Sequence, residues 1–435
     1  MSREQREATG FVGCTTSTVS HLARARVAAA SWRQHHPEAP FFVLLVDGTD
    51  PRDEHEPFEV VLPEELGVAP DELAVQQAIY DAYELACALE PHLIRLLLAR
   101  GAPAVIFTDT DTCFYAPVDD LAQTATDAGL VLSPTSTRPV LERLYYPLMQ
   151  LEYRQVTNGL FNTGLFAVGN SGDAFLEWWA GWLARDCLEE PSAGIWTDQL
   201  WVDWAAVYFE PAINRDTSLN AGFWNLDERV LAEAEGRPTV DGAPLRHFHF
   251  AGFDPRRPEL VSAYREDDPR FITRNWPSAP ANPVLADLLQ DYARRLLECG
   301  SEELRGHPYK FGISAGGRRL GRRERTIYRE AVLAAEARDT PPPPNPFDTS
   351  RIEEFERLID DPASLRSLSP QAQKRLEQVR PDGLSASSLR RLNKRLLAGL
   401  RYALTERPPP GLGLPSRVTS DTVRLEYRPS SRSTV

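Results

Sequence analysis

The sequence predicts an α/β protein built around a mostly parallel sheet. An apolar run at residues 11–14 is followed by an alanine-rich helical segment at 21–36 and a second apolar run at 41–46. Strand, helix and strand in this order are typical of a parallel βαβ unit. A third apolar run, at 104–107, leads directly into two carboxylates. Ligands bind beyond the carboxyl ends of such strands, so we expect a functional site there.

The following segments continue the alternation of helix and strand. Residues 73–100 have helical character with an interruption near Pro91, and residues 164–168 and 245–250 are apolar runs that we interpret as strands. Four aromatic residues recur at helical spacing between these two runs: Phe175, Trp178, Trp179 and Trp182. This stripe predicts a helix that packs into the core rather than a platform for a ligand.

The chain is long enough for two or three domains, and its composition suggests where they divide. We expect a catalytic domain at residues 1–276 and a helical extension at 277–340, which includes an amphipathic helix at 281–300 that ends in glycine. A proline-rich linker with short helices follows at 341–407. The last segment, 408–435, is rich in Pro, Gly, Ser and Arg, a composition that predicts disorder.

Charge and cysteine content exclude several classes of protein. The net charge of −14 argues against nucleic acid as a partner. The five cysteines are widely spaced and form no CxxC pair, so the sequence predicts neither a zinc site nor a disulfide framework. No stretch approaches the ~20 apolar residues of a membrane span, and the polar first ten residues lack a signal-peptide core. We therefore expect a cytoplasmic protein, with peripheral contact at the inner face of the membrane as an alternative.

The most informative segment is the Asp-Thr-Asp sequence at residues 109–111. In an extended loop, residues two apart point the same way, so Asp109 and Asp111 would face one ligand. Two carboxylates suit a hard cation such as Mg²⁺ or Mn²⁺, which also binds phosphate oxygens. The plain alternative is a loop with two solvated aspartates.

Three further segments carry polar residues in contexts that suggest a site. Asn162 and Gly164 precede a strand, where glycine allows close approach of the backbone to a ligand, although an ordinary turn explains them too. Asp198 and Gln199 lie among large apolar residues, where Asp198 either binds a polar ligand or caps a helix. The alternation of residues 247–250 places both histidines on one face of a strand, as metal ligands or as polar outward-facing residues.

Together these segments resemble the GT-A glycosyltransferases, in particular bacterial members near the retaining, glycogenin-type family that includes galactosyl- and glucosyltransferases. The family's motifs occur here in the same order: Asp109-Thr110-Asp111, Asn162-Thr163-Gly164, Asp198-Gln199 and His249-Phe250-Ala251-Gly252. A closer bacterial branch is marked by residues 22–27, 197–203, 219–226 and 249–255. The resemblance covers roughly residues 10–276.

The resemblance implies a GT-A fold and transfer of a sugar from a nucleotide-diphosphate sugar, with a UDP-sugar as the expected donor, to a hydroxyl of a glycan, lipid or protein acceptor. It also implies Mn²⁺ or Mg²⁺ as cofactor and retention of anomeric configuration. Asp111 and His249 would bind the metal, with Asp109 on metal or on donor ribose, and Asp198 and Gln199 would be catalytic. The remaining donor-binding residues would be Thr15, Thr16, Arg26, Asp47, Asn162, Gly164 and Gly252.

Two departures from that branch concern the donor side. Glu90 stands before Pro91 where the branch usually has lysine, which puts donor phosphate contacts there in doubt. His21 stands where the branch usually has tyrosine. Neither position belongs to the expected metal ligands.

Two other functions remain open at this point. A haloacid-dehalogenase-like phosphatase would use Asp109 as nucleophile, but its DxD loop usually follows the first strand, and the lysines here all lie beyond residue 300. The other alternative, which only Glu90 favours, is a nucleotide-sugar-binding protein without catalytic activity.

Overall fold

The computed structural model describes residues 10–48, 56–138, 158–190, 194–226, 228–263 and 282–377. The chain divides into two units, residues 1–373 and 374–435. The expected domain boundary at 276 and the expected tail at 408–435 lie outside the described residues, so the predicted domain organisation stays a prediction.

The strands of the described residues are short and mostly buried. In chain order they are β1 (Val12–Ser17), β2 (Phe41–Leu45), β3 (Glu59–Val61), β4 (Ala104–Thr108), β5 (Thr112–Phe114), β6 (Leu130–Pro134), β7 (Phe161–Gly169), β8 (Glu189–Glu190), β9 (Ile195–Trp196), β10 (Ala212–Ile213), β11 (Ala221–Gly222), β12 (Leu231–Ala234), β13 (Arg237–Val240), β14 (Ala243–Pro244) and β15 (His247–His249).

The α-helices lie between the strands and, after residue 282, follow one another. They are α1 (Leu22–His35), α2 (Pro70–Ile79), α3 (Ala82–Ala88), α4 (Glu90–Ala99), α5 (Asp119–Ala128), α6 (Asp173–Asp186), α7 (Gln199–Tyr208), α8 (Pro283–Glu298), α9 (Ser301–Leu304), α10 (Arg322–Glu336), α11 (Ile352–Asp360), α12 (Pro362–Arg366) and α13 (Pro370–Glu377). No helix in this described part of the chain has both the length and the apolar character needed to cross a bilayer.

The central sheet has seven strands in the order β10-β6-β7-β4-β1-β2-β3. All neighbouring pairs are parallel except the two that involve β7, which runs antiparallel to both β4 and β6. The predicted α/β class with a mostly parallel sheet is confirmed. Because β7 is reversed, its first residues lie beside the carboxyl end of β4, and Leu165 pairs with Thr108.

A second sheet, of three strands, places β15 beside the DxD loop at residues 109–111. β15 pairs antiparallel with β5 and parallel with β11. β5 begins immediately after Asp111, and His249 of β15 pairs with Thr112 of β5. This register brings His249 close to Asp109 and Asp111. The topology thus brings residues about 140 positions apart in sequence to one edge.

Close packing of α1 against β1 and β2 anchors this arrangement. A Cβ on Gly13 would lie 2.6 Å from the Phe41 ring and 2.9 Å from the Trp32 ring, so only glycine allows these side chains to cover β1. Trp32 is fully buried and its indole Nε1 donates to the Ala39 carbonyl at 2.8 Å. The side of the sheet that faces α1 is therefore a tightly filled core.

The predicted helix at 73–100 is in fact three helices. α2 ends at Ile79 and Tyr80 is extended, because the Asp81 carboxylate caps α3 by accepting from the Tyr83 and Glu84 amides. Pro91 does not interrupt a helix but lies in the first turn of α4, where proline is tolerated.

The aromatic stripe on α6 is only partly core, as Phe175 and Trp179 are fully buried whereas Trp182 is 43% exposed. Trp182 instead stacks on Trp201 of α7, with ring centroids 4.3 Å apart.

The helices after residue 300 pack onto the sheet domain through Arg325 of α10. This arginine is buried, and its guanidinium donates to the carbonyl oxygens of Gln77, Ala78, Tyr80, Phe311 and Leu320. Beyond it, Phe355 of α11 is buried against Tyr328, with ring centroids 6.0 Å apart. Residues beyond 340 therefore contribute to the packing of α10.

Replacing Arg325 with methionine tests this attachment. The Arg325→Met variant leaves several buried carbonyls without their donor, so we expect the free energy of unfolding to fall by about 3 kcal/mol, measured by urea denaturation. Arg256→Met removes an exposed arginine that pairs with Asp254 and should leave the unfolding midpoint unchanged. Equal midpoints for Arg325→Met and the native chain would contradict a structural role for Arg325.

Candidate functional site

Three side chains converge at the carboxyl end of β4. His249 Nε2 lies 3.0 Å from Asp111 Oδ1 and 3.5 Å from Asp109 Oδ2. The three groups offer ligand atoms within 4.8 Å of one another, a spacing that one cation can bridge. His249 is buried, whereas the Asp109 side chain is 39% exposed, so the cluster opens to solvent on the Asp109 side.

The DxD loop is a turn, not the extended segment that the sequence suggested. Thr110 and Asp111 form the turn between β4 and β5, and the Thr112 hydroxyl donates to the Asp109 carbonyl at 2.8 Å. The Phe250 amide donates to the Asp111 carbonyl at 2.7 Å, which ties this turn to the residue after His249. The two carboxylates still face one region because the turn is short and fixed at both ends.

Arg24 of α1 adds a positive charge to the same cluster. Its guanidinium Nη1 lies 3.3 Å from Asp111 Oδ2, and Nη2 donates to the Phe253 carbonyl at 3.1 Å. Burial alone would raise the pKa of Asp111, but His249 and Arg24 outweigh it and hold that pKa well below its usual range. Asp111 is therefore ionised throughout the physiological range.

The other two members of the cluster are shifted in the opposite direction. Burial would lower the pKa of His249, yet the neighbouring Asp111 raises it above the ordinary value. Partial burial raises the pKa of Asp109, the neighbouring His249 opposes this shift, and the carboxylates of Asp111 and Asp198 add to it. In the metal-free chain, Asp111 is thus a stronger acid than Asp109, and its charge favours the protonated form of His249.

His247 lies on the same side of β15 as His249 but belongs to the core. Its Nε2 is 3.0 Å from the Thr108 hydroxyl, and its ring meets Phe114 edge-on at 4.8 Å. Both rings point toward β4, as the alternation of side chains along the strand predicted. The His247 ring contacts Thr108 and does not reach the carboxylates of Asp109 and Asp111. Burial lowers the pKa of His247 well below the ordinary value, so this ring is neutral.

Gly164 and Trp224 enclose the His249 ring. A Cβ at Gly164 would lie 2.3 Å from His249 Cε1 and 2.4 Å from Nδ1, so glycine at this position makes room for the ring. Trp224 meets His249 edge-on with ring centroids 5.0 Å apart. This packing leaves the ring little freedom to leave the Asp111 carboxylate.

Asn162 is the centre of a chain of side-chain amides next to the cluster. Its Nδ2 donates to Gln199 Oε1 at 2.8 Å, and its Oδ1 accepts from Asn220 Nδ2 at 2.9 Å. Gln199 Nε2 in turn donates to the Asn158 carbonyl at 2.6 Å. Asn162 and Gln199, predicted from separate motifs, therefore lie in contact, and Asn220 links them to the loop before β11.

Asp198 precedes α7 but does not cap it. The Asp198 carboxylate makes no capping hydrogen bond, and its Oδ2 is buried without a partner among the described residues. The capping explanation for this residue is therefore wrong.

The residues that the resemblance predicts to bind the nucleotide part of the donor lie at the ends of β1 and β2. Thr15 and Thr16 are buried on β1, and Asp47 follows β2 and accepts from the Val19 amide at 2.9 Å. Arg26 bonds instead to Glu56 and to the Cys299 carbonyl. Gly252 has a φ of +70°, a conformation that favours glycine, and turns the chain between His249 and Phe253.

Sequence reasoning did not assign a role to three residues that contact the site. They are Arg24, Asn220 and Trp224. All three lie in segments that resemble the bacterial branch, but nothing in their spacing indicates which side chains face the carboxylates.

No family model matches the chain. It is similar in sequence to two uncharacterised proteins of Bacillus subtilis (strain 168): 25% identical to YfnF over 253 residues, which is 55% of this chain and 80% of YfnF, and 24% identical to YfnD over 246 residues, 54% of this chain and 75% of YfnD.

Among solved structures, it is similar to the galactosyltransferase LgtC in complex with donor and acceptor sugar analogues, with a TM-score of 0.38, 15% identity, and coverage of 66% of this chain and 95% of that one. For mouse xyloside xylosyltransferase 1 in the apo form, the TM-score is 0.33, the identity is 12%, and coverage is 55% and 97%. Likenesses this distant carry no conclusion about activity.

Adding one methyl group at Gly164 tests the packing of His249. In Gly164→Ala the new Cβ must push the imidazole away from Asp111, at a cost of about 1–3 kcal/mol in unfolding free energy. The change should also abolish the upward shift of the His249 pKa, measured by NMR titration of the ring. At Gly181 of α6 an added Cβ would meet no atom within 4 Å, so Gly181→Ala should be neutral or slightly stabilising. A His249 titration in Gly164→Ala that matches the native one would contradict this packing.

Proposed function

We propose that this chain is a metal-dependent glycosyltransferase that moves a sugar from a nucleotide-diphosphate sugar to an acceptor hydroxyl. The observation that carries the proposal is the convergence of Asp109, Asp111 and His249 at the carboxyl end of β4. Ligands of open α/β sheets bind at this edge. The resemblance of the four motifs to GT-A glycosyltransferases supports the same conclusion.

The residues of the cluster suit a hard divalent cation and a diphosphate. Two carboxylates and one imidazole are ligands that Mn²⁺ accepts, and the carboxylates also suit Mg²⁺. A divalent cation held there would neutralise charge on the diphosphate leaving group. In the proposal, Asp111 and His249 bind the ion directly, and Asp109 binds the ion or the donor ribose.

Arg24 has a positioning role in this account. Its ion pair with Asp111 and its hydrogen bond to Phe253 link α1 to the two loops that carry the metal ligands. Because Asp111 stays ionised beside Arg24, no proton has to leave it when a cation binds. His249, by contrast, binds metal only in its neutral form.

The part of the site proposed to bind the sugar consists of the linked side-chain amides around Asn162 and of Asp198. Asn162 and Gln199 present fixed hydrogen-bonding groups next to the cluster, and Asp198 directly precedes Gln199 at the beginning of α7. Such groups recognise sugar hydroxyls by direction and number. We assign Asp198 and Gln199 to the reacting sugar and acceptor, and Asn162 with Gly164 to the donor.

The nucleotide is proposed to lie over the ends of β1 and β2, at Thr15, Thr16 and Asp47. We propose a UDP-sugar as donor, hexosyl transfer with retention, and a cytoplasmic reaction on a glycan, lipid or protein acceptor. Arg26 and Gly252 complete the proposed donor-binding set, with Gly252 shaping the late loop. Arg26 bonds to Glu56 and Cys299, and its part in donor binding stays a prediction.

The phosphatase alternative is less consistent with this geometry. Three strands of the central sheet, β1, β2 and β3, precede the DxD strand in the chain. His249 lies between the two aspartates, where a phosphatase of that type requires no imidazole. The binding-protein alternative keeps the same site but predicts no turnover.

A screen of nucleotide sugars by thermal shift, with and without Mn²⁺, separates these functions. Ligand binding raises the apparent melting temperature by mass action. The glycosyltransferase proposal predicts that one nucleotide sugar stabilises the chain only with the metal and is then slowly hydrolysed. Stabilisation without hydrolysis supports the binding protein, and a trapped aspartyl phosphate supports the phosphatase.

Removing the charge of one proposed ligand tests metal dependence. Asp111→Asn should reduce transfer or hydrolysis by at least about 100-fold, since the ion loses a direct ligand, while circular dichroism remains native. Excess EDTA should abolish activity of the native chain and Mn²⁺ should restore it. Full activity in EDTA would rule out a required cation.

The two histidines of β15 provide a matched pair of variants. His249→Ala should raise the Mn²⁺ concentration needed for half-maximal activity by about 10–100-fold or more. His247→Ala removes a core ring that touches Thr108 and Phe114, so it should lower thermal stability but leave the metal requirement nearly unchanged. The reverse pattern would mean that the late loop has been assigned in the wrong register.

A further inference from the structure

A second group of potential metal ligands lies buried beneath the first. Cys87, Glu90 and Asp198 offer ligand atoms that all lie within 4.8 Å of one another. All three residues are buried, with at most 6% of their surface exposed. They come from the end of α3, the first position of α4 and the residue before α7. Three helix ends therefore converge on one small volume.

The acids of this group lack the partners that buried acids normally have. Glu90 Oε2 and Asp198 Oδ2 are buried without a hydrogen-bond partner among the described residues. By comparison, both oxygens of the buried Glu84 accept backbone amides, from Glu189 at 3.1 Å and Asp81 at 3.3 Å. A buried carboxylate oxygen without a donor is costly, so the group requires a proton or a cation.

Within the described residues, the unpartnered oxygens of Glu90 and Asp198 receive no hydrogen bond from a positively charged side chain. Burial raises the pKa of Glu90 well above its ordinary value, and the charges acting on it from Asp198, Asp109 and Cys187 raise it further. The charged groups that raise the pKa of Glu90 most are thus acids and a thiol.

We propose that Cys87, Glu90 and Asp198 form a closed site for Zn²⁺, separate from the Asp109–Asp111–His249 cluster. One thiolate and two carboxylates are ligands that zinc accepts, whereas Mg²⁺ and Mn²⁺ avoid thiolate. Bidentate binding by one of the two carboxylates would supply the fourth position. On binding, the Cys87 thiol and Glu90 release their protons to solvent. Complete burial matches a structural rather than a catalytic ion.

This ion would position the sugar side of the proposed active site. A zinc ion bound to Oδ2 of Asp198 would fix this carboxylate at the beginning of α7, next to Gln199. The zinc site itself does not depend on glycosyl transfer, and it is detected without any sugar donor.

Cobalt substitution of the full chain tests the proposal. Co²⁺ replaces Zn²⁺ in such sites, and a cobalt–thiolate bond produces a near-ultraviolet charge-transfer band that carboxylate and imidazole ligands do not. The metal-free chain refolded with Co²⁺ should develop this band and saturate at one thiolate-bound ion per chain. A folded native chain without the band at saturating Co²⁺ overturns the proposal, and this outcome requires no variant.

Three variants identify the ligands. Cys87→Ser should abolish the band, whereas Cys299→Ser, which removes a half-buried thiol at the end of α8, should retain it. Glu90→Gln should keep the band and weaken Co²⁺ binding by more than the roughly 10–100-fold loss that a change outside the ligand shell causes. A band that survives in Cys87→Ser, or unchanged affinity in Glu90→Gln, contradicts the assignment.

Discussion

The antiparallel pairing of β5 with β15 is the constraint on which the candidate site depends. β5 begins one residue after Asp111, and β15 ends at His249, so the register of this pairing sets the distance between the two side chains. A shift of one residue would present Phe248 or Phe250 to Asp111 in place of the imidazole, because side chains alternate along a strand. The hydrogen bond from the Phe250 amide to the Asp111 carbonyl stabilises this register where β5 begins and β15 ends.

Around this pairing, both charged groups and close packing fix the side chains of the site. Arg24 and His249 compensate Asp111, while Gly164 and Trp224 confine the imidazole. α3, α4 and α7 bring together Cys87, Glu90 and Asp198, and in the described part of the chain one oxygen of each of these two acids has no hydrogen-bond donor. Acidic side chains are concentrated at this edge of the sheet, and both proposed cation sites, the one at Asp109 and the enclosed one at Glu90, lie there.

Much of the fold and of the site was predictable because it depends on local sequence. The βαβ start and the strand that leads to Asp109 follow from apolar runs and their order, and the pairing of Asn162 with Gln199 joins two residues that the motifs had already named. What local sequence does not contain is long-range placement. The spacing of cysteines argued against a zinc site, yet Cys87 meets Glu90 and Asp198 through the convergence of three helices. Likewise, Arg24 and Trp224 reach the cluster only because α1 and β11 flank it.

The central claim is that Asp109, Asp111 and His249 together bind one divalent cation, and anomalous diffraction tests it most directly. Crystals of the full chain soaked with Mn²⁺ should give an anomalous difference peak within bonding distance of Asp111 and His249, and this peak should vanish in crystals of Asp111→Asn. A fully loaded crystal with no peak among these three side chains, or with its manganese elsewhere, would contradict the account.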